Sequence, residues 1–74
     1  MFSINDLRGS VEFYLPPGEY HVHGFSHGPA PLFERLGDSA PLDLPADGEV
    51  DLEGGRYRIV VPDGHSADIE FEAL

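Results

Sequence analysis

Two alternating histidines are the side chains in this sequence best placed to do chemistry. His21 and His23 lie in EYHVHGF, a run whose alternation of polar and apolar residues predicts a strand. Side chains at positions i and i+2 of a strand point to the same face, so two imidazoles there can bind one Zn²⁺ or Ni²⁺ ion. His27 or His65 would supply a third ligand, and Glu12 on a neighbouring strand would supply a fourth.

The same histidines have two simpler interpretations. They can form the polar outer side of a β-hairpin, with Glu12 opposite His23 and Tyr14 opposite His21. They can also form a pH-sensing face, because imidazoles titrate near neutral pH. We expect no cofactor, apart from weak binding of a divalent metal at the histidines.

A second candidate site is the acidic segment DLPADGEVDLE, which contains no basic residue. It could be a solvated surface, a docking patch for a basic partner or a Ca²⁺ site. The spacing does not match an EF-hand loop, since the glycine follows the first aspartate of ADGEVD too closely. The candidate interface residues of this segment are Asp43, Asp47, Glu49, Asp51 and Glu53.

Catalytic constellations are missing from the sequence, and we expect a protein that is not an enzyme. The chain has no cysteine, which excludes disulfides, thiolate metal sites and thiol catalysis. Ser66 follows His65 directly, but neighbouring residues on a strand point to opposite faces. No Gly-x-Ser-x-Gly motif and no phosphate-binding loop is present.

Charge is the strongest global property of the sequence. Fourteen acidic residues face four arginines and no lysine, for a formal net charge of −10. This balance argues against binding nucleic acid through phosphates and against anionic membranes, and it favours basic partners. No apolar run is long enough to span a bilayer, and the start of the chain does not resemble a signal peptide. We therefore expect a cytoplasmic or virion-associated protein.

Glycine and proline punctuate the chain at short intervals, which indicates many turns and no long helix. The pattern predicts a single domain over residues 1–74, all-β in class: a small antiparallel β-sandwich or barrel of six to seven short strands. The clearest strands are 10–15, 19–25, 56–61 and 66–74. Their alternation predicts these inward residues: Phe13, Val22, Tyr57, Ile59, Ile69 and Phe71. Residues 3–7 suggest an edge strand, and residues 31–36 suggest either a strand or one helical turn.

Alternation and turn signals predict that consecutive strands form hairpins. Joining 10–15 to 19–25 through a four-residue loop places Phe13 opposite Val22. Joining 56–61 to 66–74 through the PDG turn places Arg58 opposite Asp68 and Arg56 opposite Glu70. A longer loop would place Arg58 opposite Glu70 and Arg56 opposite Glu72.

A third predicted hairpin joins residues 42–44 to 49–52 across the sequence PADG. Its inner residues would be Leu42, Leu44, Val50 and Leu52. Asp43 would then lie near Asp51 on the outer side, where like charges cost stability unless a cation lies between them.

Two segments of the chain echo each other: VEFYLPPGEYHVH and VDLEGGRYRIV. Each has an alternating strand, a turn that ends in glycine, and then x-Tyr-x-Val or x-Tyr-x-Ile. The echo would fit an internal duplication, but the general pattern of β-hairpins also accounts for it.

Two families share parts of this pattern. LPPGEYHV resembles the LPAGxYxV strand–turn–strand of Ig-like and prealbumin-like β-sandwich modules, and this resemblance implies a sandwich used for adhesion or assembly. HVH followed by GGRYRIVVPDGH is similar to the two motifs of the cupins. That second resemblance implies His21, His23 and His65 as metal ligands, although the glutamate expected after the second histidine is absent.

Tyr14 and Phe25 point outwards by the alternation and are candidates for an aromatic interface. We therefore expect a non-catalytic acidic interaction or assembly protein, for example a virion decoration (cement) or accessory structural subunit, and a homo-oligomer. One alternative is an acidic inhibitor that mimics nucleic acid and blocks a basic protein. The other is a cupin-like metal-binding protein.

Overall fold

The computed structural model describes residues 1–74 and confirms an all-β fold with antiparallel strands. Residues 31–36, for which the sequence left a helical turn open, contribute a strand. The seven strands are β1 (Phe2–Leu7), β2 (Ser10–Leu15), β3 (Gly18–His27), β4 (Leu32–Arg35), β5 (Asp47–Leu52), β6 (Gly55–Val60) and β7 (Ser66–Ala73).

The strands form two sheets, and every connection joins a strand of one sheet to a strand of the other. Sheet A has the order β1-β7-β3-β5, and sheet B has the order β2-β6-β4. All odd-numbered strands are therefore in sheet A and all even-numbered strands in sheet B. As a result, no two consecutive strands pair with each other.

The two main hairpins predicted from the sequence are consequently wrong. β2 pairs with β6 rather than with β3, so Phe13 lies opposite Tyr57 instead of Val22. β6 and β7 also lie in different sheets, and Arg58 lies opposite Glu12 rather than opposite the last strand. Alternating apolar residues are buried equally well by two strands side by side and by two strands that face each other across a core, so the pattern could not distinguish these arrangements.

The third predicted hairpin is wrong for the same reason. Leu42 forms an isolated bridge with Phe33, and β5 pairs with β3. Residues 43 to 46 cross from one sheet to the other, where the backbone amide of Gly24 donates a 2.7 Å hydrogen bond to the carbonyl of Ala46. Asp51 consequently lies opposite Glu19, and its predicted neighbour Asp43 is outside the strands.

The core contains the residues that the alternation predicts to point inwards. This part of the prediction holds because the set of alternate residues that faces the core does not depend on which strand lies alongside. Thirteen buried apolar side chains form one cluster between the sheets. Sheet B contributes Tyr57 and Ile59, and sheet A contributes Val22, Ile69 and Phe71, all at most 1% exposed. The predicted inward faces of these strands are confirmed.

The two echoing segments form equivalent corners at which the chain passes between the sheets. The hydroxyl of Tyr20 donates a 2.5 Å hydrogen bond to the carbonyl of Pro16, and the hydroxyl of Tyr57 donates to the carbonyl of Glu53. Each tyrosine is thus tied to the backbone four residues upstream, as in the tyrosine corners of other β-sandwiches. Burial raises the pKa of both phenols above the ordinary value of a tyrosine.

Each corner also needs a glycine two residues before its tyrosine. Gly18 and Gly55 have φ values of +151° and +153°, a region that residues with a Cβ rarely adopt. The Cβ of an alanine at Gly55 would in addition lie 3.0 Å from the guanidinium of Arg35. Glycine and tyrosine at this spacing therefore specify the corner, and the echo reflects its geometry.

The tyrosine corner gives a stability prediction. Replacing Tyr57 by Phe removes the donor for the Glu53 carbonyl while the ring stays in the core, so we expect the free energy of unfolding to fall by about 1 kcal/mol. Tyr14→Phe removes the same hydroxyl from an exposed ring and should change stability by less than about 0.5 kcal/mol. Urea unfolding followed by circular dichroism measures both. Equal stability of the two variants would show that the corner hydrogen bond contributes nothing.

Candidate functional site

The outer side of sheet A, which we call the acidic face, concentrates half of the carboxylates in the chain. Alternate residues of β3, β5 and β7 are buried or half-buried against the core, and the others point outwards. The outward acidic residues are seven in number: Glu19, Asp47, Glu49, Asp51, Asp68, Glu70 and Glu72. They flank His21 and His23, which lie on the central strand β3.

The acidic face has no arginine of its own. Three of the four arginines form ion pairs with carboxylates other than these seven: Arg8 with Asp6 at 3.4 Å, Arg35 with Asp38 at 3.1 Å, and Arg58 with Glu34 at 2.5 Å. The Arg8–Asp6 pair borders the acidic face, since the backbone amide of Asp6 donates a 2.6 Å hydrogen bond to Asp68. Arg56 points outwards from sheet B, opposite Tyr14. The predicted pairing of Arg56 and Arg58 with the last strand therefore does not occur, and the carboxylates of β7 are without those partners.

The outer side of sheet B, which we call the neutral face, differs from the acidic face in charge. Its outward positions carry Glu12 and Glu34 against Arg56 and Arg58, so the formal charges at these positions cancel. The guanidinium of Arg58 lies between the two glutamates, at 2.5 Å from Glu34 and 3.9 Å from Glu12. The two sheets thus present one strongly charged and one balanced surface.

Within the acidic face, three side chains converge on one point. The Nε2 atom of His21 lies 2.7 Å from Oδ1 of Asp47, and the Nδ1 atom of His23 lies 3.4 Å from the same oxygen. The two imidazole centroids are 4.3 Å apart. All three donor atoms lie within 4.8 Å of one another, which is compact enough for one metal ion.

Asp47 is held in its ionised form by the histidines. The hydrogen bond from His21 lowers the pKa of the Asp47 carboxyl below its ordinary value; burial opposes this effect, and the weaker charge interactions with His23 and His21 lower the pKa further. The sequence predicts Asp47 in a protein interface and does not connect it with the histidines. Their contact depends on the pairing of β3 with β5, and that pairing connects positions 23 and 47.

His65 and His27, the other ligands considered from the sequence, do not join this cluster. The Nδ1 atom of His65 lies 2.8 Å from the carbonyl of His27, at the far end of β3 from His21. Its ring fills the space beside Gly28, where an added Cβ would lie 2.1 Å from Nδ1. Glu12, the proposed fourth ligand, is in sheet B. The ligand set implied by the cupin resemblance is therefore not brought together.

The predicted acidic interface is divided by the fold. Asp47, Glu49 and Asp51 are on the acidic face, whereas Asp43 and Glu53 lie in connections outside the strands. The acidic face also takes in Glu19 and the three carboxylates of β7, which come from distant parts of the chain. Alternation places each of these residues outwards, but only the sheet order shows that they share one surface.

The two exposed aromatics lie on opposite sides of the molecule. Tyr14 is 62% exposed on the neutral face, and Phe25 is 60% exposed at the end of β3 on the acidic face. Both point outwards as predicted. One flat partner surface cannot contact both, so they cannot form a single interface on one copy of the chain.

Comparison with known proteins adds no further constraint. The chain matches no protein-family model, no curated protein and no solved structure. None of its segments forms a helix with the length and hydrophobicity needed to cross a bilayer. A function is therefore inferred from the residues and their arrangement.

The acidic face gives a second stability prediction. Asp51 lies opposite Glu19, so Asp51→Asn should relieve repulsion and raise the free energy of unfolding by about 0.2–1 kcal/mol at low salt. Glu34→Gln changes the net charge equally but breaks the ion pair with Arg58, and stability should fall by about 0.2–1 kcal/mol. Urea unfolding at low and high NaCl measures both. A clear loss of stability in Asp51→Asn would contradict the repulsion.

Proposed function

We propose that this protein is a non-catalytic interaction protein whose acidic face binds a basic surface of a partner protein. The observation that carries the proposal is the segregation of charge. Seven carboxylates share the outer side of sheet A with no arginine, while the neutral face balances its charges. Solubility alone needs net charge but does not need it on one face, since surfaces of mixed sign serve that purpose.

The spacing of the carboxylates makes them act together. Positions two residues apart on a strand are about 6.6 Å apart, and neighbouring strands are about 4.8 Å apart. Both distances are shorter than the Debye length of about 8 Å at physiological ionic strength, so the carboxylate potentials add. Such a field increases the rate of encounter with a basic surface.

The size of the acidic face indicates which kind of complex it would form. Its three acidic rows span about 10 Å across the strands and about 20 Å along them. That patch is smaller than the roughly 800 Å² that each partner buries in a standard protein interface. We therefore infer an association that depends on charge, forms rapidly and weakens with salt.

The acidic face would also serve as the binding surface of an inhibitor that mimics nucleic acid. Seven charges along about 20 Å correspond to about one charge per 3 Å, compared with one per roughly 1.7 Å in duplex DNA. The acidic face thus offers about half the charge density of the duplex. A partner recognised in this way would be a nucleic-acid-binding protein, and duplex DNA would compete for it.

If the protein were a virion decoration or accessory subunit, the neutral face would contribute more of the binding contacts than the acidic face. Tyr14 and Leu32 are exposed there, at 62% and 45%, and would support contacts between copies or with a larger assembly. We favour the acidic face as the primary binding surface, because the neutral face has only these scattered apolar side chains. Self-association through the neutral face would be compatible with partner binding at the acidic face.

The experiment compares two triple variants with the same net charge. Glu49→Gln, Glu70→Gln and Glu72→Gln remove three charges from the acidic face. Asp43→Asn, Glu53→Gln and Asp63→Asn remove three from exposed connections. Wild-type and variant proteins are immobilised, exposed to native lysate and eluted with a NaCl gradient. One captured protein is then purified and titrated against each form.

We expect the acidic-face variant to bind the purified partner at least about tenfold more weakly and the connection variant to bind like wild type. Equal weakening in both would mean that net charge alone drives the contact. Unchanged binding in both would overturn the proposal. Competition by duplex DNA would identify the partner as a nucleic-acid-binding protein, and lack of competition would support a basic protein surface of another kind.

A further inference from the structure

We propose that His21, His23 and Asp47 form a binding site for one divalent transition-metal ion of the zinc class. The proposal goes beyond partner binding by the acidic face, and its test uses the metal ion alone. Two imidazole nitrogens and one carboxylate oxygen form a donor set typical of zinc sites with three protein ligands and an open fourth position.

The distances from both histidine nitrogens to Asp47 are close to those of a site for one ion, and the three donor atoms lie within 4.8 Å of one another. Ligand bonds of about 2.0–2.1 Å in a tetrahedral site place neighbouring donor atoms about 3.3 Å apart. Nδ1 of His23 is already 3.4 Å from Oδ1 of Asp47. Nε2 of His21 is 2.7 Å from that oxygen, the length of a hydrogen bond, and must move away by about 0.6 Å as the metal replaces the proton.

The side chains can make this adjustment while the backbone stays fixed. Asp47 is 71% exposed and His23 is 53% exposed, so neither side chain is confined by packing. Their backbones lie opposite each other in the β3–β5 pairing, and β7 borders β3 on its other side. The Gly24–Ala46 hydrogen bond holds the chain where it enters β5. Little conformational entropy would be lost on binding, because the strands already hold the three residues together.

The donor set also indicates which ions would bind. Ca²⁺ and Mg²⁺ take oxygen ligands almost entirely, whereas imidazole is suited to Zn²⁺, Ni²⁺ and Cu²⁺. The neighbouring register positions add negative charge: Glu70 lies opposite His23, and Glu49 and Glu72 lie opposite His21. These carboxylates attract cations to the site, and a water molecule or one of them would complete the coordination.

The test is calorimetric titration of the metal-free full chain with ZnCl₂, combined with ¹⁵N NMR of the histidine rings. We expect one ion per chain and ring shifts at His21 and His23 that exceed those at His27 and His65. His23→Gln and Asp47→Asn should each weaken binding about 10–100-fold, the range found when even an outer partner of a metal site is removed. Circular dichroism of each variant verifies that it is folded.

The chain provides a matched control for each variant. His27→Gln removes an exposed histidine from the same strand, and Asp51→Asn removes an acidic-face carboxylate from the strand that carries Asp47. Both controls should bind Zn²⁺ within about threefold of wild type. An equal effect of Asp51→Asn and Asp47→Asn would overturn the proposal in favour of general attraction by the acidic face. Equal effects of the two histidine variants, or the absence of a saturable one-ion isotherm, would also overturn it.

Discussion

The structure depends on one constraint: at each connection the chain leaves one sheet and enters the other. Tyr20 and Tyr57 fix two of these crossings by donating to the backbone four residues upstream. Because consecutive strands never pair, each strand pairing brings together distant parts of the chain, such as residue 23 with residue 47 and residue 2 with residue 71. Both outer faces are therefore assembled from segments far apart in sequence.

The distribution of charge follows from that alternation. Because the chain changes sheet at every connection, the carboxylate-rich strands β5 and β7 are in the same sheet as β3. They flank β3 and its two histidines. The arginine-bearing β6 has an even number and lies between β2 and β4, where Arg58 meets Glu12 and Glu34. A hairpin of β6 with β7 would have placed these arginines against the last strand and neutralised it. The acidic face exists because the fold separates those two strands.

The sequence contained enough information for the class, the strands and the core. Alternation correctly predicted that Tyr57, Ile59 and Phe71 point inwards, and that Tyr14 and Phe25 point outwards. It could not predict partners, because a strand buries the same residues whether its neighbour in sequence lies beside it or across the core. The echo coincides with two of the crossings: Gly18 and Gly55 each precede by two residues a tyrosine whose hydroxyl donates to the backbone.

The same limit explains what the sequence predicted of the candidate site. His21 and His23 could be paired from their spacing alone, since i and i+2 share a face on any strand. Asp47 could not be added without the β3–β5 register, and His65 was added from its residue type and from the cupin resemblance, neither of which contains the distance between the two segments. Local geometry was predictable at this site, and long-range geometry was not.

Stability and the proposed binding of a basic partner make opposing demands on the acidic face. The domain has a small core, and a chain of this size has little stability in reserve. Cross-strand contacts between like charges, such as Glu19 opposite Asp51, reduce that reserve without improving packing. Interspersing the same arginines among these carboxylates would have relieved the repulsion at an unchanged net charge. Because the fold instead keeps its arginines away, the carboxylates of the acidic face have no cation within the chain to balance them, and the proposed basic partner and the proposed metal ion at the histidines would each supply that charge.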